Sequence, residues 1–208
     1  MNVIFLATAI LLPLNRSRVM PRYAPWWLLY GIRHSGIKKS GKGILKRGIA
    51  MAKDNKTNAM RILDKLKVAY ERNSYSCDEF IDGIHIADML GQCYDESFKT
   101  IVTEGKSSNY YVFVLPVDKE IDLKKAARAV GEKNLELIPV KEVNKVTGYI
   151  RGGCTPVGMK KQYPTVIHES AAAFDRIIIS GGKIGEQLYI NPDDLIKVVN
   201  GVYGDIVK

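Results

Sequence analysis

The chain is poor in the residues that most nucleophilic and metal-dependent enzymes rely on. It has three cysteines, Cys77, Cys93 and Cys154, and three histidines, His34, His85 and His168. An odd cysteine count without CxxC spacing excludes a disulfide framework and a zinc ribbon, and a reducing cytoplasm suits such usage best. The scattered histidines make no metal cluster, so surface or core roles are expected for them, and neither a metal nor a cofactor is expected. GxSxG, HExxH, the P-loop lysine motif and the dinucleotide fingerprint are all missing. Gly181-Gly182-Lys183 is not a Walker loop, because it lacks the spaced preceding glycine and the following Ser or Thr.

Acidic residues are missing from the first fifty positions, which contain nine Lys and Arg residues. The whole formal charge of +9 therefore lies there, and residues 51–208 balance 22 basic against 22 acidic side chains. A general polyanion-binding role is excluded for that larger part, and any nucleic-acid contact must rest on a local patch. Val3 to Leu14 is apolar for roughly a dozen residues, short of the ~20 that a spanning helix needs. A signal-peptide core is disfavoured because no Lys or Arg precedes the run and no small-residue cleavage site follows. Trp26 and Trp27 beside arginines are compatible with a membrane-surface anchor. The preferred reading is that residues 1–50 are an extension outside the fold, translated from a start-site artefact. Composition changes at Met51, where MAKDNKTNAMRILDKL reads as a natural start. Lys46-Arg47-Gly48 just before it is encodable by a purine-rich, ribosome-binding tract.

Residues 51–208 are expected to form one domain. Apolar spacing predicts a helix over Thr57–Lys67, capped by Asn55 or Thr57, then a strand in VAYERNSY and a short helix from Ile84 ended by Gly91. Phe98–Thr103 and Tyr110–Pro116 read as a hairpin across a GKSSN turn. Helices follow at Asp122–Val130, with Gly131 past its end, and at Val140–Val146. Strands are expected at Tyr149–Ile150, Thr165–His168, Arg176–Ser180 and Gln187–Ile190. A last helix spans Pro192–Asn200, with Asn191 as cap and Gly201 past its end. Strands mixed irregularly with short helices predict an α+β fold.

Two glycine-rich turns stand out, Gly152-Gly153-Cys154-Thr155-Pro156-Val157-Gly158 and Ser180-Gly181-Gly182-Lys183-Ile184-Gly185. Backbone without Cβ atoms can gather N–H groups around a carboxyl oxygen, a phosphate or an ester carbonyl, and the same turns can also be ordinary tight turns. Cys154 has no assignable His or Asp partner, so a buried small residue is a better description than a nucleophile. Lys160 and Lys161 read as a solvated face. Lys99 stands alone in the apolar strand FKTIV, opposite in parity to Phe98 and Thr100, and by that pattern alone it projects to solvent.

Taken in order, FKTIV, DLKKAARAVG, TGYIRGGCTPVGMKKQYPTVI and ISGGKIG resemble the YbaK/EbsC family of aminoacyl-tRNA deacylases, relatives of the editing domain in bacterial-type prolyl-tRNA synthetase. The resemblance runs from about Lys56 to the C-terminus, and GYxxGGxxPxGxKK is its most specific part. It implies a mixed α+β domain with a curved, barrel-like sheet packed with short helices. It implies that Lys99 holds the substrate amino acid or the terminal adenosine, and that Gly152 contacts the aminoacyl group. Tyr75, Gly153, Cys154, Ser180, Gly181, Gly182 and Gln187 are the implied substrate-binding positions, and Lys160, Lys161 and Lys183 form a basic rim for the acceptor end. Many members carry an aspartate where this chain has Gln187, a change that bears on how the α-amino group is held.

The implied activity is removal of cysteine from tRNA(Pro) by trans-editing. Discrimination by about one methylene is worth only ~1–3 kcal/mol, so a synthetase needs a second sieve. The implied mechanism uses the substrate's own thiol to form a thiolactone. Such a route needs orientation and oxyanion stabilisation but no triad or metal. The alternatives are water-dependent cleavage of another substrate such as Ala-tRNA(Pro), and a non-catalytic module that binds tRNA ends or the synthetase. The expected partners are the aminoacyl-tRNA acceptor end and prolyl-tRNA synthetase, in the cytoplasm and without a membrane.

Overall fold

The computed structural model describes residues 56–76 and 80–208. The expected cap Asn55, the residue Cys77 and the whole N-terminal extension lie outside those residues. Helix α1 covers Asn58–Lys65, and the hydroxyl of Thr57 accepts the amide of Met60 at its start. The helix buries Ala59, Met60 and Leu63 in a core shared with Phe98, Ile177, Leu188 and Leu195. Full burial of one Leu or Met contributes about 1.5–3 kcal/mol, so this apolar face anchors α1.

Strand β1 (Tyr70–Ser74) follows, then α2 (Gly83–Leu90), which Asp82 caps at one end and Gly91 closes in the left-handed conformation at the other. Strands β2 (Phe98–Gly105) and β3 (Tyr110–Pro116) form the expected hairpin, in which Lys99 faces Leu115 and Thr100 faces Val114. Asp122 caps α3 (Leu123–Val130), and Ala126 and Ala127 press that helix onto Phe113 and Leu115. Small residues at those positions let helix and sheet approach closely. Strand β4 (Leu135–Leu137), helix α4 (Val140–Thr147), β5 (Thr165–His168), β6 (Ile177–Ser180), β7 (Glu186–Ile190), α5 (Pro192–Val199) and β8 (Val202–Gly204) complete the order.

The strands form two sheets, a mixed one in the order β4-β2-β3-β5-β8 and an antiparallel one in the order β1-β7-β6. A parallel bridge between Ser97 and Ile178 joins β2 to β6 and so connects the sheets. This is the α+β architecture that the irregular alternation predicts.

Local differences from the sequence reading have physical causes. Tyr149–Ile150 is not a strand. Gly148 ends α4 with φ 85°, and the ring of Tyr149 turns inward, where its hydroxyl donates to the Val157 carbonyl at 2.6 Å. The last helix ends at Val199, because Asn200 itself adopts the left-handed cap with φ 50°. Strands β4 and β8 are three residues each, too short for alternation to register, and exist because neighbours pair with them.

Candidate active site

The site arises where the outer edge of β2 changes neighbours. At one end, the Glu96 carbonyl accepts the Ile178 amide of β6, and at the other the Val102 carbonyl accepts the Ile138 amide beside β4. Between these ends β2 and β6 diverge around a cavity of about 470 Å³. Because strand groups alternate with a period of two, Thr100 turns its own N–H and C=O toward that gap. Its hydroxyl is buried with no partner among the described residues. Mostly apolar walls with a few convergent polar groups are the usual make-up of a small-ligand site of this size.

Lys99 lines this cavity and does not project freely into solvent, contrary to what strand parity alone predicts. It is half-buried, and its Nζ donates to the Val117 carbonyl at 2.8 Å. Burial pushes its pKa below the ordinary lysine value, while the carboxylates of Asp118, Glu120 and Asp82 act in the opposite sense. The ammonium is thus held in place and partly stripped of water, which suits a group that grips a substrate.

Gly152 lines the same cavity. Its φ is 82°, and a Cβ there would lie 2.9 Å from Cδ2 of Phe80. The position therefore needs glycine both for its backbone conformation and for the approach of that ring. Arg151 stacks on the same ring, with its guanidinium carbon 4.0 Å from the centroid. Gly153 does not line the cavity. Its amide donates to the Ile150 carbonyl, and a Cβ would come within 3.1 Å of the Lys183 backbone, so this glycine presses the two glycine turns together. The residues of this loop that line the cavity, and so can offer a donor to a substrate oxygen, are Arg151, Gly152 and Cys154. Cys154 lines the cavity, but its thiol packs beside Val102, Ile138 and Val146. Burial raises its pKa to about 11, which keeps it a neutral thiol.

From the second turn, only Ser180 reaches the cavity, followed by Glu186 and Gln187 of β7. Gly181 closes the turn through its amide to the Glu186 carbonyl, and its own carbonyl accepts the Thr57 hydroxyl at 2.5 Å. Gly182, with φ 91°, faces the buried ring of Tyr149. Both glycines shape the site without lining it. Glu186 is not a free base, because Arg72 grips both its oxygens at 2.6 and 2.8 Å and Ser74 donates to it as well. The hydrogen bonds from Arg72 hold its carboxyl below the ordinary range. Gln187 exchanges two hydrogen bonds with the side-chain amide of Gln92, at 2.8 and 3.1 Å, and accepts a third from Asn73 at 3.2 Å. This wall of the cavity is a neutral amide network of Gln187, Gln92 and Asn73.

Tyr75 lines the cavity too, and its amide extends the β1–β7 ladder to the Gly185 carbonyl. Lys160, Lys161 and Lys183 are exposed and lie outside the lining. Lys160 reaches the Lys145 carbonyl near the end of α4, and Lys161 borders a separate groove with Ile62 and Met159. His85 is exposed and paired with Asp82, and His168 caps a 3₁₀ turn over Glu169–Ala173. Among the described residues, no group of His, Cys, Asp and Glu could hold a metal ion. Thr100, Phe80 and Arg151 were not singled out from sequence. For Thr100 the available signal was its place beside Lys99 in FKT, and for Arg151 its place inside GYIRGG, but only the tertiary fold brings Phe80 to them.

A family model described as an aminoacyl-tRNA editing domain matches residues 85–198. An Enterococcus faecalis protein named as a Cys-tRNA(Pro)/Cys-tRNA(Cys) deacylase, EbsC, is 41% identical over 152 residues, covering 73% of this chain and 93% of the relative. Two crystal structures share the fold. One is of a hypothetical protein, with TM-score 0.68 and 20% identity over 73% of this chain and 100% of the other. The second, described as a trans-editing enzyme for prolyl-tRNA synthetase, has TM-score 0.60 and 22% identity over 73% of this chain and 97% of the other.

Proposed function

The chain belongs to the aminoacyl-tRNA editing family, and from that premise we propose that it deacylates mischarged tRNA in trans, with Cys-tRNA(Pro) as its preferred substrate. The observation that carries this reading is the convergence of Lys99 and Gly152, from two separate motifs, on one cavity of about 470 Å³. Among its described lining residues there is no unengaged carboxylate or histidine to serve as a base. Asp82 caps α2 and pairs with His85, and Glu186 is clamped by Arg72.

A site without a base suits a substrate that brings its own nucleophile. The sulfur of the cysteinyl group attacks its own ester carbonyl, a C–S bond forms, and the bond to the ribose 3′-oxygen breaks. The thiol proton ends on that oxygen, which leaves free tRNA and a thiolactone that water later opens. The protein has to orient the aminoacyl group and stabilise charge on the carbonyl oxygen, a role this reading gives to the loop amides at Gly152 and Cys154, two residues that line the cavity. Lys99 holds the substrate, Tyr75, Ser180 and Gln187 complete the walls, and Lys160, Lys161 and Lys183 form the rim toward the acceptor end. Prolyl-tRNA synthetase is the partner that hands over the substrate, and the reaction belongs in the cytoplasm. Among the described residues, no helix is long and apolar enough to cross a membrane.

The test is deacylation of Cys-tRNA(Pro) and Ala-tRNA(Pro) by the wild-type chain and by Lys99→Ala, with the released product identified by mass spectrometry. Rapid release from the cysteinyl substrate, lost in Lys99→Ala and passing through a thiolactone, is the expected result. Faster cleavage of Ala-tRNA(Pro) would overturn the thiol route, and turnover of neither substrate would overturn the assignment to tRNA(Pro).

A further inference from the structure

The cavity has two flanks of opposite charge. Residues 80–98, which lead into and include α2, carry Asp82, Asp88, Asp95 and Glu96 and no Lys or Arg. Residues 140–164, which include α4 and the first glycine turn, carry Lys141, Lys145, Arg151, Lys160 and Lys161 against one acid, Glu142. Both flanks line the cavity directly, the first through Phe80, Asp82 and Ile86 and the second through Val140, Val143 and Arg151.

All five basic side chains of the second flank are exposed, and none forms an ion pair among the described residues. Elsewhere the clusters are partly neutralised. Lys56 beside α1 pairs with Asp64, and Lys125 of α3 pairs with Asp205. Neither α1 nor α3 lines the cavity. Lys160 is also held in place, since its Nζ donates to the Lys145 carbonyl at 3.1 Å and the Lys160 amide to the Thr147 carbonyl at 3.0 Å. Its ammonium is therefore held at the C-terminal end of α4.

Resting on the deacylase reading above, we infer that the acceptor stem of the tRNA leaves the cavity along α4. Its phosphates would lie on Lys141, Lys145, Lys160 and Lys161, with the acidic α2 flank turned away from the nucleic acid. Phosphate contacts of this kind set affinity and orientation without reading sequence. The acidic flank penalises the reverse orientation, because it would place phosphates against Asp88, Asp95 and Glu96, which form no ion pair among the described residues. One domain with no net charge can in this way still bind a polyanion in a single direction.

The experiment compares two substrates for the full chain: whole Cys-tRNA(Pro), and a cysteinylated CCA trinucleotide that fills the cavity but lacks the stem. Lys141→Ala/Lys145→Ala should raise KM for the whole tRNA about tenfold or more and affect the trinucleotide far less. Each lost phosphate contact removes about one from the slope of log kcat/KM against log salt, so the double variant should flatten that slope by about two. Lys124→Ala/Arg128→Ala on α3 should leave both substrates and the slope unchanged. An unchanged KM and slope in the α4 variant, with the trinucleotide still cleaved, would overturn the proposed path and leave the deacylase reading intact. Failure of the wild type to cleave either substrate would instead overturn the reading on which the path rests.

Discussion

Gly152→Ala separates the role of backbone geometry at the site from its role in the fold. With φ at 82°, an alanine there takes a left-handed conformation that costs about 1–2 kcal/mol. Stiffening of the unfolded chain offsets roughly 0.4–1 kcal/mol of this. The new Cβ would lie 2.9 Å from Phe80 Cδ2, but that ring is 41% exposed and can swing aside, so the clash adds little to instability. The net loss should be about 1 kcal/mol, or about 2–4 °C in Tm for a domain of this size. Activity should fall much further. The displaced ring carries Arg151 with it, and a misplacement of about 1 Å beside the reacting group costs roughly 10²-fold, equivalent to about 2.7 kcal/mol. Single-turnover deacylation measures that loss, and thermal melting measures the stability. Gly182→Ala is the matched control. Its Cβ would meet the buried Tyr149 ring at 3.1 Å, so it should destabilise at least as much while the folded fraction keeps most of its rate. If Gly152→Ala shows the expected drop in Tm but stays within about threefold of wild-type activity, the loop is a structural turn and does not contact the reacting ester.

Lys99 leads to a pH prediction with a defined sign. Its pKa is lowered in the folded state, so above that folded pKa and up to the unfolded value near 10.5 the unfolded chain binds more protons. Relative to Lys99→Met, wild-type stability should therefore rise with pH in that window. Parallel stability curves for the two proteins would show that the ammonium is not desolvated. Cys154→Ala should retain turnover within about tenfold, because a thiol with a pKa near 11 supplies almost no thiolate at neutral pH, and alkylation under native conditions should label exposed Cys93 well before Cys154. Complete loss of turnover in a folded Cys154→Ala protein would refute the substrate-thiol route. Gln187→Asp puts a carboxylate into the amide wall formed with Gln92 and Asn73, and it should lower KM for aminoacyl substrates by giving the α-ammonium a charged partner. An unchanged KM would place the ammonium elsewhere in the cavity.

The sequence by itself determined the local elements whose signals are chemical and short-range. Thr57, Asp122 and Asn191 cap the helices that follow them because their side-chain oxygens satisfy free amides one turn inside. The β2–β3 hairpin and the two glycine turns were legible for the same reason, and the order of those motifs led to the family. Only the tertiary structure decided what the residues do with one another. Strand parity alone sent Lys99 to solvent, but the divergence of β2 from β6 beyond the Ser97–Ile178 bridge opens a cavity at its position and draws its ammonium onto the Val117 carbonyl. Three glycines of the two turns, with similar sequence signals, separate into one that lines the cavity, Gly152, and two that serve packing and turn closure, Gly153 and Gly181. No single-residue property distinguishes them, because the difference lies in which neighbour each backbone meets. For Gly152 and Gly153 those neighbours, Phe80 and the Lys183 backbone, are set by contacts between distant segments that pattern and propensity do not encode, whereas Gly181 meets Glu186 within its own turn.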